Sequence, residues 1–176
     1  MIKKLKEFSF KIKPIYTHNL IKQLVREHKR LFKLLGSLEH SLLISRDIAL
    51  KRLEKFRHEL ELHVILEHKK LYTKLSSKYR PCGLKKIEEI KKELDKIIDL
   101  LETLKDKIKH RKIKEAKLIL NTVKKYLEKR IDFEEKILYK LYEQDYSCEE
   151  LNFLLEKKST RTIQVRNINQ TKREIL

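Results

Sequence analysis

Histidine and glutamate side chains occur at positions that the hydrophobic pattern of the chain assigns to the interior. His63 and Glu67 are four residues apart, so both project from one face of a helix. They belong to a stripe of inward positions made of Leu53, Phe56, Leu60, His63, Glu67 and Leu71. His28 lies in an earlier stripe and Glu134 in a later one. Two imidazoles and two carboxylates form a donor set that suits iron, manganese or zinc.

The metal interpretation competes with simpler ones. A histidine such as His28 on an apolar face is more often hydrogen-bonded within a core, and Arg130 followed by Glu134 has the spacing of an ordinary helical ion pair. His63 and Glu67 could also mark the edge of their stripe. However, several charged groups at one level of a core must pair with each other or with a metal, because burying an unpaired charge is costly.

An imperfect internal repeat relates these residues to one another. In its stronger part Glu67 corresponds to Glu134, and His63 corresponds to Arg130. A repeat of this kind is typical of an architecture built from two helix pairs.

A weaker part of the repeat aligns His28 with Leu94. The first copy therefore carries two histidines and a glutamate at inward positions, whereas the second carries Leu94, Arg130 and Glu134. This asymmetry between the two copies is the main clue to function.

The apolar periodicity predicts four long amphipathic helices. We place the first over residues 17–38, the second after an N-cap at Ser45 or Asp47, and the fourth over residues 113–142. The third ends near Ile108, and its inward face has no polar residue: Ile87, Ile90, Leu94, Ile97, Ile98, Leu101 and Leu104. Long helices with short connections predict an all-α fold, an up-down-up-down four-helix bundle.

Two local signals mark the boundaries of this bundle. Pro81-Cys82-Gly83 is the clearest break and separates the two helix pairs. Ser147-Cys148-Glu149-Glu150 fits a capping box and predicts a short extra C-terminal helix. We therefore divide the chain into an N-terminal arm, the bundle, a short helix and a basic flexible tail: residues 1–14, 15–145, 146–158 and 159–176.

Composition limits the function classes. The 176 residues suffice for one domain, and the formal net charge of +18 suggests nucleic acid or another acidic surface as a partner. Aromatic residues are not interleaved with the basic ones as base stacking would require, so nucleic-acid binding is not favoured. No apolar stretch is long enough to span a membrane.

The remaining reactive residue types give mostly negative expectations. Cys82 and Cys148 are too few for a disulfide framework, which predicts a reducing, cytoplasmic location. No glycine-rich phosphate loop and no Ser/His/Asp or Cys/His arrangement is evident, so we expect no enzyme. The other histidines are expected at the surface: His18, His40, His58, His68 and His110.

At the residues above, the chain resembles the hemerythrin-like (HHE cation-binding) family. The resemblance covers roughly residues 15–145 and rests on Glu27-His28, on His63-x-x-x-Glu67 and on Glu134, each of the last two followed by an apolar-aromatic pair. It implies a duplicated four-helix bundle in which two irons share bridging carboxylates and bind dioxygen or nitric oxide or serve in sensing.

The second half departs from the family pattern, because Leu94 and Arg130 stand where the family has histidines. By the resemblance, His28, His63, Glu67 and Glu134 would then hold one iron or none. We hypothesise that the Arg130 guanidinium replaces part of the missing cation's charge by pairing with Glu67 and Glu134. Sensing or small-ligand binding is the function this predicts.

Residues 127–138 are also similar to the last core helix of the regulator of sigma D family. Members of that family are helical bundles without a di-iron centre that bind a sigma factor. This weaker resemblance implies the alternative function, a metal-free regulatory module for a protein partner. The positive charge of the chain suits a basic sigma-factor surface poorly.

Overall fold

The computed structural model describes residues 18–79, 85–151 and 153–154, with the backbone alone for residues 85–91. Their α-helices are α1 (Asn19–Ser41), α2 (Arg46–Leu66), α3 (Thr73–Lys78), α4 (Lys85–Lys109), α5 (Ile113–Phe133) and α6 (Tyr139–Glu143), and a further helical segment begins at residue 148. Two π-helical turns, Glu67–Tyr72 and Glu134–Leu138, join α2 to α3 and α5 to α6 without a break. The described part of the chain contains no strand.

The four long helices, α1, α2, α4 and α5, pack together as a four-helix bundle. Helix α1 packs against α2 and α5, and α4 packs against the same two helices, so each helix has two neighbours. Short connections at residues 42–45 and 110–112 make the members of each pair antiparallel. The predicted all-α bundle is confirmed.

The ends of the helices follow the capping signals of the sequence. Ser45 precedes α2 with extended backbone, as an N-cap should, although its hydroxyl makes no capping hydrogen bond. The predicted capping box is confirmed: the Ser147 amide donates to Glu150 Oε2 (2.8 Å), and the Glu150 amide donates to Ser147 Oγ (3.2 Å). It opens a helical turn at residues 148–151.

Two apolar clusters fill the bundle, with a polar layer between them. One cluster lies toward the two short connections and includes Leu31, Phe56 and Leu127. The other lies at the opposite end: Leu20, Ile21, Leu24, Leu71, Tyr72, Leu75, Tyr79, Ile137, Leu138, Tyr139, Leu141, Tyr142 and Leu151. The buried polar residues of the described chain are His28, Ser41, His63, Glu67, Arg130 and Glu134.

Helix α4 departs from its predicted inward face. Ile98 is 38% exposed and Leu94 is half-buried, whereas Ile97, Leu101 and Leu104 are buried. Two consecutive residues lie about 100° apart around a helix, so Ile97 and Ile98 cannot both point along one narrow seam. The side chains of the predicted inward residues Ile87 and Ile90 lie outside the described residues.

Several predictions made for the ends and the break of the chain also lie outside the described residues. These concern the N-terminal arm, the Pro81-Cys82-Gly83 break and the basic tail. Cys148 is disulfide-bonded, whereas the low cysteine count led us to expect reduced thiols. Within the described ranges, no helix combines the length and the apolarity needed to cross a membrane.

Candidate metal centre

The polar layer brings together the four residues that the sequence singled out. His28 comes from α1, His63 from α2, and Glu67 and Glu134 each open one of the π-helical turns. One ligand atom from each residue lies within 4.8 Å of the others. All four side chains are buried, with His63 the most exposed at 4%.

The π-helical turns explain how the carboxylates and two tyrosines reach the same layer. Glu67 and Tyr72 are five residues apart, as are Glu134 and Tyr139. Five residues make about 1.4 turns of an α-helix, which would point the two side chains apart. They make close to one turn of a π-helix, because its hydrogen bonds join residues five apart. Each glutamate and its tyrosine are therefore buried together.

The inner faces of the four residues point toward one another. Nε2 of His28 lies 3.1 Å from Nε2 of His63 and 3.4 Å from Oε2 of Glu134. Nε2 of His63 lies 3.5 Å from Oε1 of Glu67. The two buried oxygens Glu67 Oε1 and Glu134 Oε2 have no hydrogen-bond partner among the described residues. Two imidazole nitrogens and two unsatisfied acceptors around one point form an arrangement that a cation would satisfy.

The outer nitrogens of both histidines are held by carboxylates. Nδ1 of His28 lies 2.8 Å from Oε1 of Glu135, and Nδ1 of His63 lies 2.8 Å from Oε2 of Glu27. A carboxylate at Nδ1 keeps the proton of a neutral imidazole on that side. The lone pair of Nε2 is then free to bind a metal, as for metal-bound histidines in general.

Arg130 occupies the opposite side of both glutamates. Its Nη2 donates to Oε2 of Glu67 (2.7 Å), and its Nε lies 2.7 Å from Oε1 of Glu134. The same Nη2 donates to the Tyr72 hydroxyl (3.2 Å), which donates in turn to Oε1 of Glu134 (3.2 Å). Each carboxylate thus directs one oxygen at a histidine and the other at Arg130. Leu94, the other departure from the repeat, is half-buried and borders a groove between α2 and α4.

Comparison with known proteins agrees with this arrangement. The family model for the hemerythrin HHE cation binding domain matches residues 19–142. The chain belongs to the hemerythrin HHE family. No curated protein and no solved structure matches it. The similarity to the regulator of sigma D family remains a prediction from residues 127–138.

Among the described residues of this hemerythrin HHE bundle, the four clustered side chains could hold a metal ion. On the histidine side, two Nε2 atoms and two unpaired carboxylate oxygens are available. On the other side, the remaining oxygen of each glutamate is bonded to the guanidinium of Arg130. A guanidinium is a permanent cation and cannot ligate a metal, so these residues do not fit a second ion.

Electrostatics of the site reflect dense pairing of opposite charges. Burial alone would lower the pKa of His63, but the hydrogen bond to Glu27 and the nearby negative charge of Glu67 outweigh burial and raise that pKa to about 9. Burial would raise the pKa of Glu67, but His63 and Arg130 hold it down at about 2. His28 behaves like His63: burial opposes its charge, whereas Glu134 and Glu135 raise its pKa. Without a metal, the surrounding carboxylates therefore favour the protonated form of each histidine.

Several residues of the site were not singled out as site residues in the sequence. Glu27 and Glu135 contact the outer histidine nitrogens, and each is adjacent in sequence to a candidate ligand. Tyr72 and Tyr139 hold equivalent places in the repeat, and the Tyr139 hydroxyl lies 3.2 Å from Nε2 of His28. The repeat itself was the signal that could have identified both tyrosines. The five histidines expected at the surface are all exposed.

Proposed function

We propose that this protein binds one iron ion through His28, His63, Glu67 and Glu134. We further propose that it uses the ion to bind or sense a small ligand. The observation that carries the proposal is the pair of buried carboxylate oxygens that face two imidazole nitrogens without a hydrogen-bond partner in the described chain. Buried acceptors are rarely left unsatisfied in native proteins, so an ion between these groups is the simplest explanation.

A single ion rather than a pair follows from the charge of Arg130. In a two-ion site, bridging carboxylates share their negative charge between two cations. Here the positive charge of the guanidinium takes the place of the second cation, because it bonds to Glu67 and Glu134. A guanidinium with several fixed donors suits two carboxylates better than a lysine would.

The ion would supply a Lewis-acidic position at which a small diatomic molecule could bind. The protein residues orient and shield that position. Glu27 and Glu135 fix the orientation of the imidazoles, and the two apolar clusters above and below the layer exclude water. Iron is the metal we propose, because the family resemblance implies iron and the mixed imidazole and carboxylate donors suit it. Binding without turnover is the activity we propose.

Ligand binding can be tested with nitric oxide on protein loaded anaerobically with ferrous iron. We expect the electron paramagnetic resonance spectrum of a mononuclear iron nitrosyl. The signal should be absent in His28→Ala and unchanged in His58→Ala, which removes an exposed histidine. Iron that binds to the wild-type protein but gives no nitrosyl would mean that the ion has a structural role only.

A metal-free regulatory module is the second candidate function. The observation that favours it is the charge balance of the layer, since Arg130 and the two histidines already pair with the buried glutamates. In that case the protein partner, such as a sigma factor, would bind equally well to His63→Ala protein. Under the first proposal, the same substitution abolishes iron binding.

A further inference from the structure

The connection between α1 and α2 exposes a compact group of aliphatic side chains. Leu43 is 67% exposed, Ile44 is 58% exposed, and Ile48 on the first turn of α2 is 41% exposed. Single exposed aliphatic residues are ordinary in proteins, but three within six positions at one tip form a patch. A group of exposed aliphatic side chains at one tip is a candidate interaction surface.

The connection between α4 and α5 lies at the same end of the bundle. Ion pairs join Arg57 of α2 to Glu102 of α4 and, at 2.6 Å, Glu54 of α2 to Lys105 of α4. Because α2 and α4 are antiparallel, equal steps from this pair toward the same end of the bundle reach residues at about the same level. Six residues before Glu54 is Ile48, and six residues after Lys105 is Arg111. The aliphatic patch and the α4–α5 connection are therefore neighbours.

The α4–α5 connection is rich in exposed cations. Lys109, Arg111 and Lys114 are exposed, and none of the three makes an ion pair with a described residue. Lys112 is also exposed and makes only a long ion pair, 3.8 Å, with Glu115. Free cations beside exposed aliphatic side chains form a combined surface, which we call the cationic–aliphatic end.

The backbone at Arg111 adopts a conformation that is uncommon for arginine. Arg111 has φ = 56°, in the left-handed region that favours glycine. It closes α4 in a Schellman-type turn, in which the Lys112 amide donates to the Lys107 carbonyl (2.9 Å). Glycine is the usual residue at this position of the turn. Arginine in this conformation carries backbone strain, and its side chain makes no ion pair within the described chain.

We propose that the cationic–aliphatic end docks onto the surface of an anionic lipid bilayer. The cations approach acidic headgroups, while Leu43, Ile44 and Ile48 enter the boundary of the acyl chains. The aliphatic component distinguishes a bilayer from nucleic acid, which would require stacking or groove contacts instead. This peripheral attachment is independent of the metal, so neither proposal depends on the other.

The test is co-sedimentation of the full chain with vesicles of phosphatidylcholine alone or mixed with phosphatidylglycerol. We expect binding to the anionic vesicles at least about tenfold stronger than to the neutral ones, and weaker in high salt. The double variant Leu43→Ser with Ile44→Ser should lose about tenfold or more in vesicle affinity. The matched control is Leu62→Ser with Ile65→Ser, which removes two similarly exposed residues (50% and 48%) away from this end and should bind as the wild type does.

Arg111→Gly gives a second, independent readout. We expect it to keep or raise the melting temperature, because glycine suits the left-handed backbone, while it weakens binding to anionic vesicles several-fold. Equal binding to neutral and anionic vesicles would overturn the proposal. A double serine variant that binds vesicles as the wild type does would also overturn it. A double serine variant whose only change is its oligomeric state would instead make the patch a contact between copies of the chain. Unchanged vesicle binding by that variant, together with competition from a polynucleotide for the same cations, would point to nucleic acid as the partner.

Discussion

Arg130 shows how one side chain can change the composition of a buried site. Its guanidinium bonds to one oxygen of Glu67 and one oxygen of Glu134, and it is only 2% exposed. Burial would lower its pKa, but the two carboxylates outweigh this effect and raise the pKa above its ordinary value. The residue is therefore a fixed positive charge that the glutamates require whether or not a metal is present.

Removing that charge should destabilise the protein strongly. Arg130→Gln removes the buried cation that bonds to one oxygen of each of Glu67 and Glu134, so we expect the free energy of unfolding of metal-free protein to fall by about 3–5 kcal/mol. Urea denaturation measures this change. The control is Arg30→Gln, which breaks the exposed Arg30–Glu59 pair and should cost less than about 1 kcal/mol. Similar losses in the two variants would mean that Arg130 is not essential to the layer.

Under the proposed function, the same residue limits the site to one ion. A double variant, Leu94→His with Arg130→His, restores imidazoles at both departures from the repeat and frees one oxygen on each of Glu67 and Glu134. We expect this variant to bind a second metal ion per chain, counted by elemental analysis. The single variant Leu94→His keeps the guanidinium and should not. An unchanged count in the double variant would contradict the role assigned to Arg130.

The raised pKa of His63 gives metal-free protein a distinctive pH dependence. The pKa of His63 is about 9 in the folded protein, above its ordinary value of 6.5. The stabilisation from its proton is thus complete below pH 6.5 and is lost as the pH rises through 9. We expect the free energy of unfolding to fall over this window by an amount of the order of 3 kcal/mol. Thermal denaturation at several pH values measures this change, and we expect the melting temperature to fall as the pH rises through 9. A melting temperature that stays constant or rises over this window would mean that His63 is uncharged in the folded protein.

At the scale of the element, the inward positions could be predicted from the sequence as far as the π-helical turns but not within them. The inward positions of α2 and α5 follow the 3.6-residue period up to Glu67 and Glu134, and the sequence pattern located them correctly. Beyond each glutamate the period changes, and no propensity signal marks a π-helical turn. Tyr72 and Tyr139 therefore fell outside the predicted site, although both are buried in it.

Helix α1 contains a residue that weakens it without an evident packing reason. Gly36 is exposed in the helix interior, and a Cβ atom added there would meet nothing within 4 Å. Gly36→Ala should therefore stabilise the protein by about 0.5–1 kcal/mol, because alanine loses less backbone entropy in a helix. A higher urea midpoint with unchanged metal binding is the expected result. A destabilised variant would show that the helix needs the glycine.

At the scale of the whole molecule, the bundle and its polar layer followed from the sequence because two patterns agreed. The apolar periodicity fixed four helices, and the repeat aligned the polar interruptions of those helices at one level. The pattern could not fix the outer contacts of the layer, since Glu27 and Glu135 lie at half-buried edges where periodicity is ambiguous. It also overestimated the buried face of α4, where Ile98 is partly exposed.

The most direct test of the central claim is the number of iron ions per chain. The measurement is elemental analysis of untagged protein purified from iron-supplemented cells, compared with His63→Ala prepared in the same way. The account predicts about one ion per wild-type chain and none in the variant, because His63 contributes one of the two imidazole donors. No iron in the wild-type protein, or two ions per chain, would contradict a single-ion site completed by Arg130.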